Sequence, residues 1–301
     1  MKRKLWQIML LLFVCMTGRA YDFNVDGIHY NFIANNDNNV SVAGCDDGMT
    51  IVNIPSRVYY GGGWLHVTEI GESAFAGYDP YEYTPGCCTF TLPNSIEIIR
   101  AKAFFDCNLN PDITLPTSLR VIEHGAFSET SIWTVNIPES VEQIGAGAFG
   151  GTWDDCPDND ESYCWARYPG KYVVDSRNQY FSSNDGILYD KAKTRIIDIP
   201  DGFVGEINIP NTVKKCEDDF ASGVTKIWVA AKTWYEMDFS RSNLPYVTYK
   251  KDEDDNLIYE YGHPAVDSYI IYDGSTPVGP VNGEVVLPEG VERLGDFLFS
   301  S

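Results

Sequence analysis

Positive charge is scarce in this sequence. Twenty-two lysines and arginines stand against 43 aspartates and glutamates, a formal net charge of -21. A chain so acidic is repelled by nucleic acid and by anionic membrane surfaces, which removes both as partners. The four histidines, His29, His66, His124 and His263, stand far apart, and no double C-x-x-C accompanies them, so no zinc site is expected. Phosphate-cradling G-x-x-x-x-G-K and dinucleotide G-x-G-x-x-G signatures are missing, and Gly61-Gly62-Gly63 reads as a turn. No cofactor is expected. Beyond residue 20 no run approaches the roughly 18 consecutive apolar residues that a membrane-spanning helix needs.

The one sustained apolar run is at the start. In MKRKLWQIMLLLFVCMTGRA, three basic residues precede the run from Leu5 to about Met16, and small residues follow, which predicts a signal peptide over 1–20 cleaved after Ala20. A secreted or cell-surface location is therefore expected. Leu12 three places before Cys15 suggests lipoprotein anchoring instead, but Phe13 and Val14 are bulky for that role. Loss of the leader removes Lys2, Arg3, Lys4 and Arg19 and takes the formal charge from -21 to -25. That acidity reads first as solubility and second as a surface for a cationic partner. Seven cysteines remain after the leader, an odd number, so a complete disulfide framework within one chain is impossible.

What the sequence has in abundance is self-similarity. FTLPNSIEIIRAKAFFDC from Phe90, ITLPTSLRVIEHGAFSET from Ile113 and VNIPESVEQIGAGAFGGT from Val135 are one unit written three times. From Pro93, Pro116 and Pro138 the next landmark falls eleven residues later each time, at Phe104, Phe127 and Phe149, with periods of 23 and then 22. Apolar residues recur three and one before the proline, and three and six after it (Ile96, Leu119, Val141; Ile99, Ile122, Ile144). That spacing fits a recurring coil and no regular helix or strand. Further copies begin at Ile54-Pro55, interrupted and resumed as VTEIGESAFAGY, at Ile207, with Cys216 in an isoleucine slot, and at Val285. One unit buries too few large side chains to offset the ordering of its own backbone, so the copies must stack into a solenoid.

The pattern I/L-P-x-S-V/L-x-x-I-x-x-x-A-F resembles the BspA-type leucine-rich repeat, a family of secreted and surface proteins of Bacteroides-like bacteria. YDFNVDGIHYNF after Ala20 is similar to that family's mature N-terminus, YFSSNDGILYDKAKTRIIDIP to its hairpin insert, and TWYEMDF with SYIIYDG to a further module. The resemblance implies a leucine-rich-repeat solenoid with short parallel strands in each coil, an N-terminal β-hairpin cap and β-hairpin insertions. It also implies adhesion or host-protein binding.

The expected organisation is a signal peptide over 1–20, a β cap over 21–50, and a solenoid over 51–223 with inserts at 59–66, 76–88 and 153–190. A strand-rich module and a final partial repeat follow over 224–301. The chain ends at Ser301, just past the last phenylalanine slot, which reads as a fragment ending inside a repeat. Alternation about the proline turns positions four and two before it outward. Thr89, Thr91, Thr114, Thr134 and Asn136 are thus candidate partner-binding residues, expected to align as a polar ladder; Asp112, Glu206 and Asn208 share those positions. The same residues also suit plain solvated strands. The loop from Trp153 to Tyr172 departs most from the repeat. Its Trp153, Tyr163, Trp165 and Tyr168 are candidates to stack on sugars or partner side chains, and Cys156 with Cys164 is a candidate disulfide. Asp154, Asp155, Asp158, Asp160 and Glu161 lack calcium-loop spacing, so no metal is expected. Cys107 and Cys216 fall in buried slots. Gly71-Glu72-Ser73-Ala74-Phe75 begins like a nucleophile elbow without its closing glycine, and catalysis is not expected. The reading is a binding protein for a host or microbial macromolecule, protein or glycan, with glycan capture beside a carbohydrate-uptake system as the alternative and a hydrolase a distant third.

Overall fold

Each coil reverses direction through two left-handed residues placed symmetrically about its phenylalanine. Two before it stand Ser73, Lys102, Gly125 and Gly147 with φ of 53, 54, 61 and 58°, and two after it Gly77, Asp106 and Glu129 with φ of 65, 52 and 59°. The double reversal presents one edge of backbone to the next coil. Lys102, Phe104 and Asp106 donate their N–H groups to the carbonyls of His124, Ala126 and Ser128 at 3.1, 2.8 and 3.0 Å. Gly125, Phe127 and Glu129 repeat this onto Ala146, Ala148 and Gly150. A lone coil leaves these groups unpaired, which is why the unit exists only in a stack.

This computed structural model describes residues 21–78, 88–150, 169–217, 224–239, 247–251, 257–261, 270–273, 276–278 and 289–294. Residues 1–20, where a signal peptide is expected, most of the Trp153 to Tyr172 loop and most of the last repeat lie outside them. Strands Phe23–Val25, Ile28–Ile33 and Asn36–Cys45 form an antiparallel meander, and the third runs parallel to Gly63–Ile70. Two-residue strands Ile98–Ile99, Val121–Ile122 and Gln143–Ile144 then add in parallel, five and six residues after each proline. Arg57–Tyr60 folds back antiparallel on residues 63–66.

A second ladder runs at the residues before each proline, and it is not the continuous sheet that alternation suggested. Ile51–Asn53 pairs with Thr89–Thr91, and Thr134–Ile137 with Lys171–Val174, but residues 112–115 join no strand. Pro111 occupies the slot that Cys88 fills one coil earlier and has no N–H to donate. The contact shrinks there to a single bridge between Cys88 and Leu109.

The core between the two ladders is a column of rings. Phe75, Phe104, Phe127 and Phe149 lie 5.2, 5.0 and 5.4 Å apart, at 18, 5 and 2°, and Tyr172 closes the column edge-on at 5.9 Å. Beside it the serine of each P-x-S ties one coil to the last. Ser95 Oγ donates to Val67 O at 2.6 Å, Ser118 Oγ to Ile96 O at 3.0 Å and to Asn94 O, and Ser140 Oγ to Leu119 O at 2.7 Å. Ser118→Ala is expected to lower stability by about 1 kcal/mol, the net value of one such hydrogen bond, measured by urea unfolding.

The strand Ile187–Asp190, paired between Phe181–Asn184 and Arg195–Asp198, is buried on both faces. Leu188 enters the core of residues 23–188, whereas Ile187 and Tyr189 enter a second core that continues to Phe239. Lys215–Cys216 and Asp238–Phe239 extend that sheet in parallel, and Cys216 is fully buried in its isoleucine slot. The six-residue helix Ala231–Glu236 buries Thr233, Trp234 and Tyr235. Gly205–Asn208, Val224–Trp228 and Ile270–Asp273 run parallel, with Thr276–Val278 antiparallel at the edge, and Val247–Lys251 pairs with Leu257–Tyr261.

Candidate recognition surface

The outward positions before the prolines fall into separate patches. Thr89 and Thr91 are exposed and lie in register with Ile51 and Asn53. Thr114 is exposed outside any strand. Thr134 is half-buried and Asn136 exposed, in register with Lys171 and Val173. The structure thus brings Thr89 together with Thr91, and Thr134 with Asn136, and leaves Thr114 alone where Pro111 breaks the ladder. Asp112, Glu206 and Asn208 are also exposed. Trp153, Tyr163, Trp165, Tyr168, Cys156 and Cys164 lie outside the described residues, as do the acidic residues between them. Tyr172, the last residue of that loop, is 1% exposed and belongs to the ring column.

One aromatic on this face escaped the sequence reading. Trp133, directly before Thr134, is 52% exposed. Its ring rests on Gly170, where a Cβ would sit 2.4 Å from a ring carbon, so a larger residue there would push the tryptophan ring aside. The signal was legible: tryptophan fills the slot that holds Cys88 and Pro111 in the preceding coils.

The larger surface is the face of the long sheet, where the side chains contributed by the coils come from residues after each proline. Arg100 donates two hydrogen bonds to Glu69, at 2.8 and 2.9 Å, and one to Glu123 at 2.9 Å, and the other oxygen of Glu123 accepts the Ala101 N–H at 2.8 Å. These carboxylates, Glu69 first, raise the Arg100 guanidinium further above its ordinary value. Arg120 grips Glu142 through two bonds at 3.1 and 2.9 Å and holds its carboxyl below the ordinary 4.5. Lowered in the folded state, this group stabilises the fold above its unfolded pKa, and the contribution is lost as pH falls through the folded value. Arg120→Met is expected to return Glu142 to the ordinary carboxylate range, read from its side-chain carbon shift against pH. A titration point that does not rise would refute the pairing.

Among the described residues the long sheet ends at Gln143–Ile144, and the described strands that follow, those of the hairpin included, belong to other sheets. Ile144 is half-buried where Ile99 and Ile122 are fully buried. An open groove of about 520 Å³ results, with Gln143, Gly145 and His124 on one wall and Phe181, Arg195, Ile197 and Glu217 on the other. Gly145 is demanded by close approach, since a Cβ would meet His124 N at 2.3 Å.

Ser73 takes the left-handed turn position that Lys102, Gly125 and Gly147 hold elsewhere, so its strained φ serves the coil. Among the described residues no group of three or more His, Cys, Asp or Glu is placed to hold a metal ion. No described helix is long and apolar enough to cross a membrane.

This geometry is that of a known repeat: the family model described as BspA type leucine rich repeat region (6 copies) matches residues 68–153. These residues belong to the BspA-type leucine-rich repeat family. The match spans the coils that carry the ring column, the serine rungs and the arginine pairs. Among solved structures the chain is similar to the pneumococcal vaccine antigen PcpA, at 18% identity over 72% of this chain and 69% of that one, TM-score 0.36. It is similar to a leucine-rich repeat protein from Bacteroides ovatus, at 20% identity over 73% and 67%, TM-score 0.39. A leucine-rich repeat protein from Bacteroides capillosus is 28% identical over 40% of this chain and 86% of that one, TM-score 0.35. No curated protein matches the chain.

Proposed function

We propose that this is an exported, adhesin-like binding protein that holds a host or microbial macromolecule on its repeat-built surface. The contact set is Thr89, Thr91, Thr114, Thr134 and Asn136, joined by Trp153, Tyr163, Trp165 and Tyr168 of the irregular loop. The observation that carries this reading is the register. Thr89, Thr91, Thr134 and Asn136 stand on strands paired in register, which supports a rigid surface whose side chains vary without cost to the core, and Thr114 lies in the coil between them. The leader over 1–20 supports export, and the repeat family supports binding over catalysis.

Exposed Trp133, directly before Thr134, favours one second reading, glycan capture beside a carbohydrate-uptake system, because a flat ring suits a sugar face as well as a protein side chain. A matrix-protein panel run against a glycan array separates the two. The first reading expects capture of a matrix protein and a loss of at least about tenfold in Asn136→Arg, the effect of a bulky charge in an interface. Glycan binding abolished in Trp165→Ala or Trp133→Ala would replace it with the second. Turnover abolished by Ser73→Ala in a folded chain would overturn both.

A further inference from the structure

Arginine is treated alike along the described chain, with one exception. Arg100 pairs with Glu69 and Glu123, Arg120 with Glu142, Arg177 with Asp175 and Glu139, Arg195 with Glu217 and Asp190, and Arg293 with Asp238. Arg57 pairs with no carboxylate among the described residues, although acids outnumber bases 43 to 22 in this sequence. Its guanidinium lies 4.5 Å from the centre of the Trp64 ring. That contact holds the cation in place and leaves its five N–H donors for a ligand.

The setting is a built one. Arg57–Tyr60 and residues 63–66 form a tight hairpin in which Tyr59 stands directly opposite Trp64, their rings 5.4 Å apart at 67°. Each of the two is 55% exposed. With Arg57 they line a groove of about 450 Å³ whose other wall carries Asp26, Ile51 and Asn53. The side chains of Asp26 and Asn53 make no hydrogen bond to another described residue.

We propose that this groove binds a carboxylated sugar. Arg57 is the partner for one carboxylate, and the exposed rings of Trp64 and Tyr59 are platforms for the apolar face of a pyranose. Asp26 accepts hydrogen bonds from hydroxyl groups and Asn53 both donates and accepts them. One cation beside groups suited to hydroxyls matches a ligand with one acid and several hydroxyls. An acidic peptide is a poorer match, because a second carboxylate would meet Asp26. The site borders the contact set proposed above, since Ile51 and Asn53 lie in register with Thr89 and Thr91, but Arg57, Tyr59 and Trp64 are not part of that set and do not depend on what it holds.

The test titrates the full mature chain with sialyllactose and with a hyaluronan hexasaccharide, against lactose and hexaglutamate, by calorimetry and tryptophan fluorescence. At least one acidic saccharide is expected to saturate the protein, with lactose at least tenfold weaker. Arg57→Met is expected to remove that preference while the melting temperature stays unchanged, Arg57→Lys to keep part of it, and Trp64→Ala to weaken acidic and neutral sugars together. Failure of both acidic saccharides to bind at millimolar concentration overturns the proposal, as does an unchanged preference in Arg57→Met. Hexaglutamate binding as tightly as the saccharides would assign the groove to an acidic peptide. Asn136→Arg leaves this titration unmoved while testing the other surface, so the two readings fail separately.

Discussion

Phe127→Ala is expected to lower the stability of the repeat stack by about 3–5 kcal/mol, the usual cost of truncating a fully buried phenylalanine. Phe127 is 0% exposed and sits between two parallel rings, Phe104 at 5.0 Å and Phe149 at 5.4 Å. Its removal strips contact from both neighbours at once. The coils are joined to rigid backbone ladders on both sides, so the gap cannot close by sliding one coil toward the next. Phe127→Leu keeps much of the volume and should cost about 1–2 kcal/mol. Urea unfolding measures both, and hydrogen exchange should show the loss greatest in the coils either side of residue 127, because a solenoid transmits stability mainly to nearest neighbours. A loss under about 1 kcal/mol for the alanine variant would mean that the column is not the main support of the core.

Asn178→Ala is expected to detach the hairpin from the coil before it, at a cost of at least about 3 kcal/mol. Asn178 is 0% exposed and uses both ends of its amide. Its Nδ2 donates to Pro138 O and Val141 O at 2.9 and 2.8 Å, and its Oδ1 accepts the N–H groups of Tyr180 and Phe181 at 2.8 and 2.7 Å. Alanine would orphan buried groups on both sides, each worth about 1–3 kcal/mol. Asn178→Asp should do no better, since it keeps the acceptor, loses the donor and places a charge in the same buried position. Leu188 and its neighbours Ile187 and Tyr189 enter the two cores from that hairpin, so amide protection over 181–190 should fall first. Unchanged protection there would show that the ring and strand contacts alone hold the junction.

The sequence determined the repeat, because each copy carries the whole hydrophobic period within its own 22 or 23 residues. Phe104, Phe127, Ile99 and Ile122 could be assigned to the interior from spacing alone, and all four are fully buried. Cys216 could be placed in an isoleucine slot for the same reason. The alternation about the proline predicts which side chains face outward, since a strand's period of two is local; Thr89, Thr91 and Asn136 are exposed on strands, whereas Thr134 is half-buried and Thr114 joins no strand.

Pairing between coils depends on what the neighbouring coil offers, and only the tertiary structure decided it. Pro111 breaks the outward ladder because the coil before it needs an N–H that proline lacks. The long sheet runs through Ile98–Ile99 and Val121–Ile122, rungs too short to leave a strand signature in the sequence. Arg100 meets Glu69 and Glu123 from 31 and 23 residues away. The groove beside Gln143 lies where the hairpin, and not another coil of the long sheet, faces its last described rung. The repeat specifies what one coil buries, whereas the surface is set by which coils come next to each other and where that succession stops.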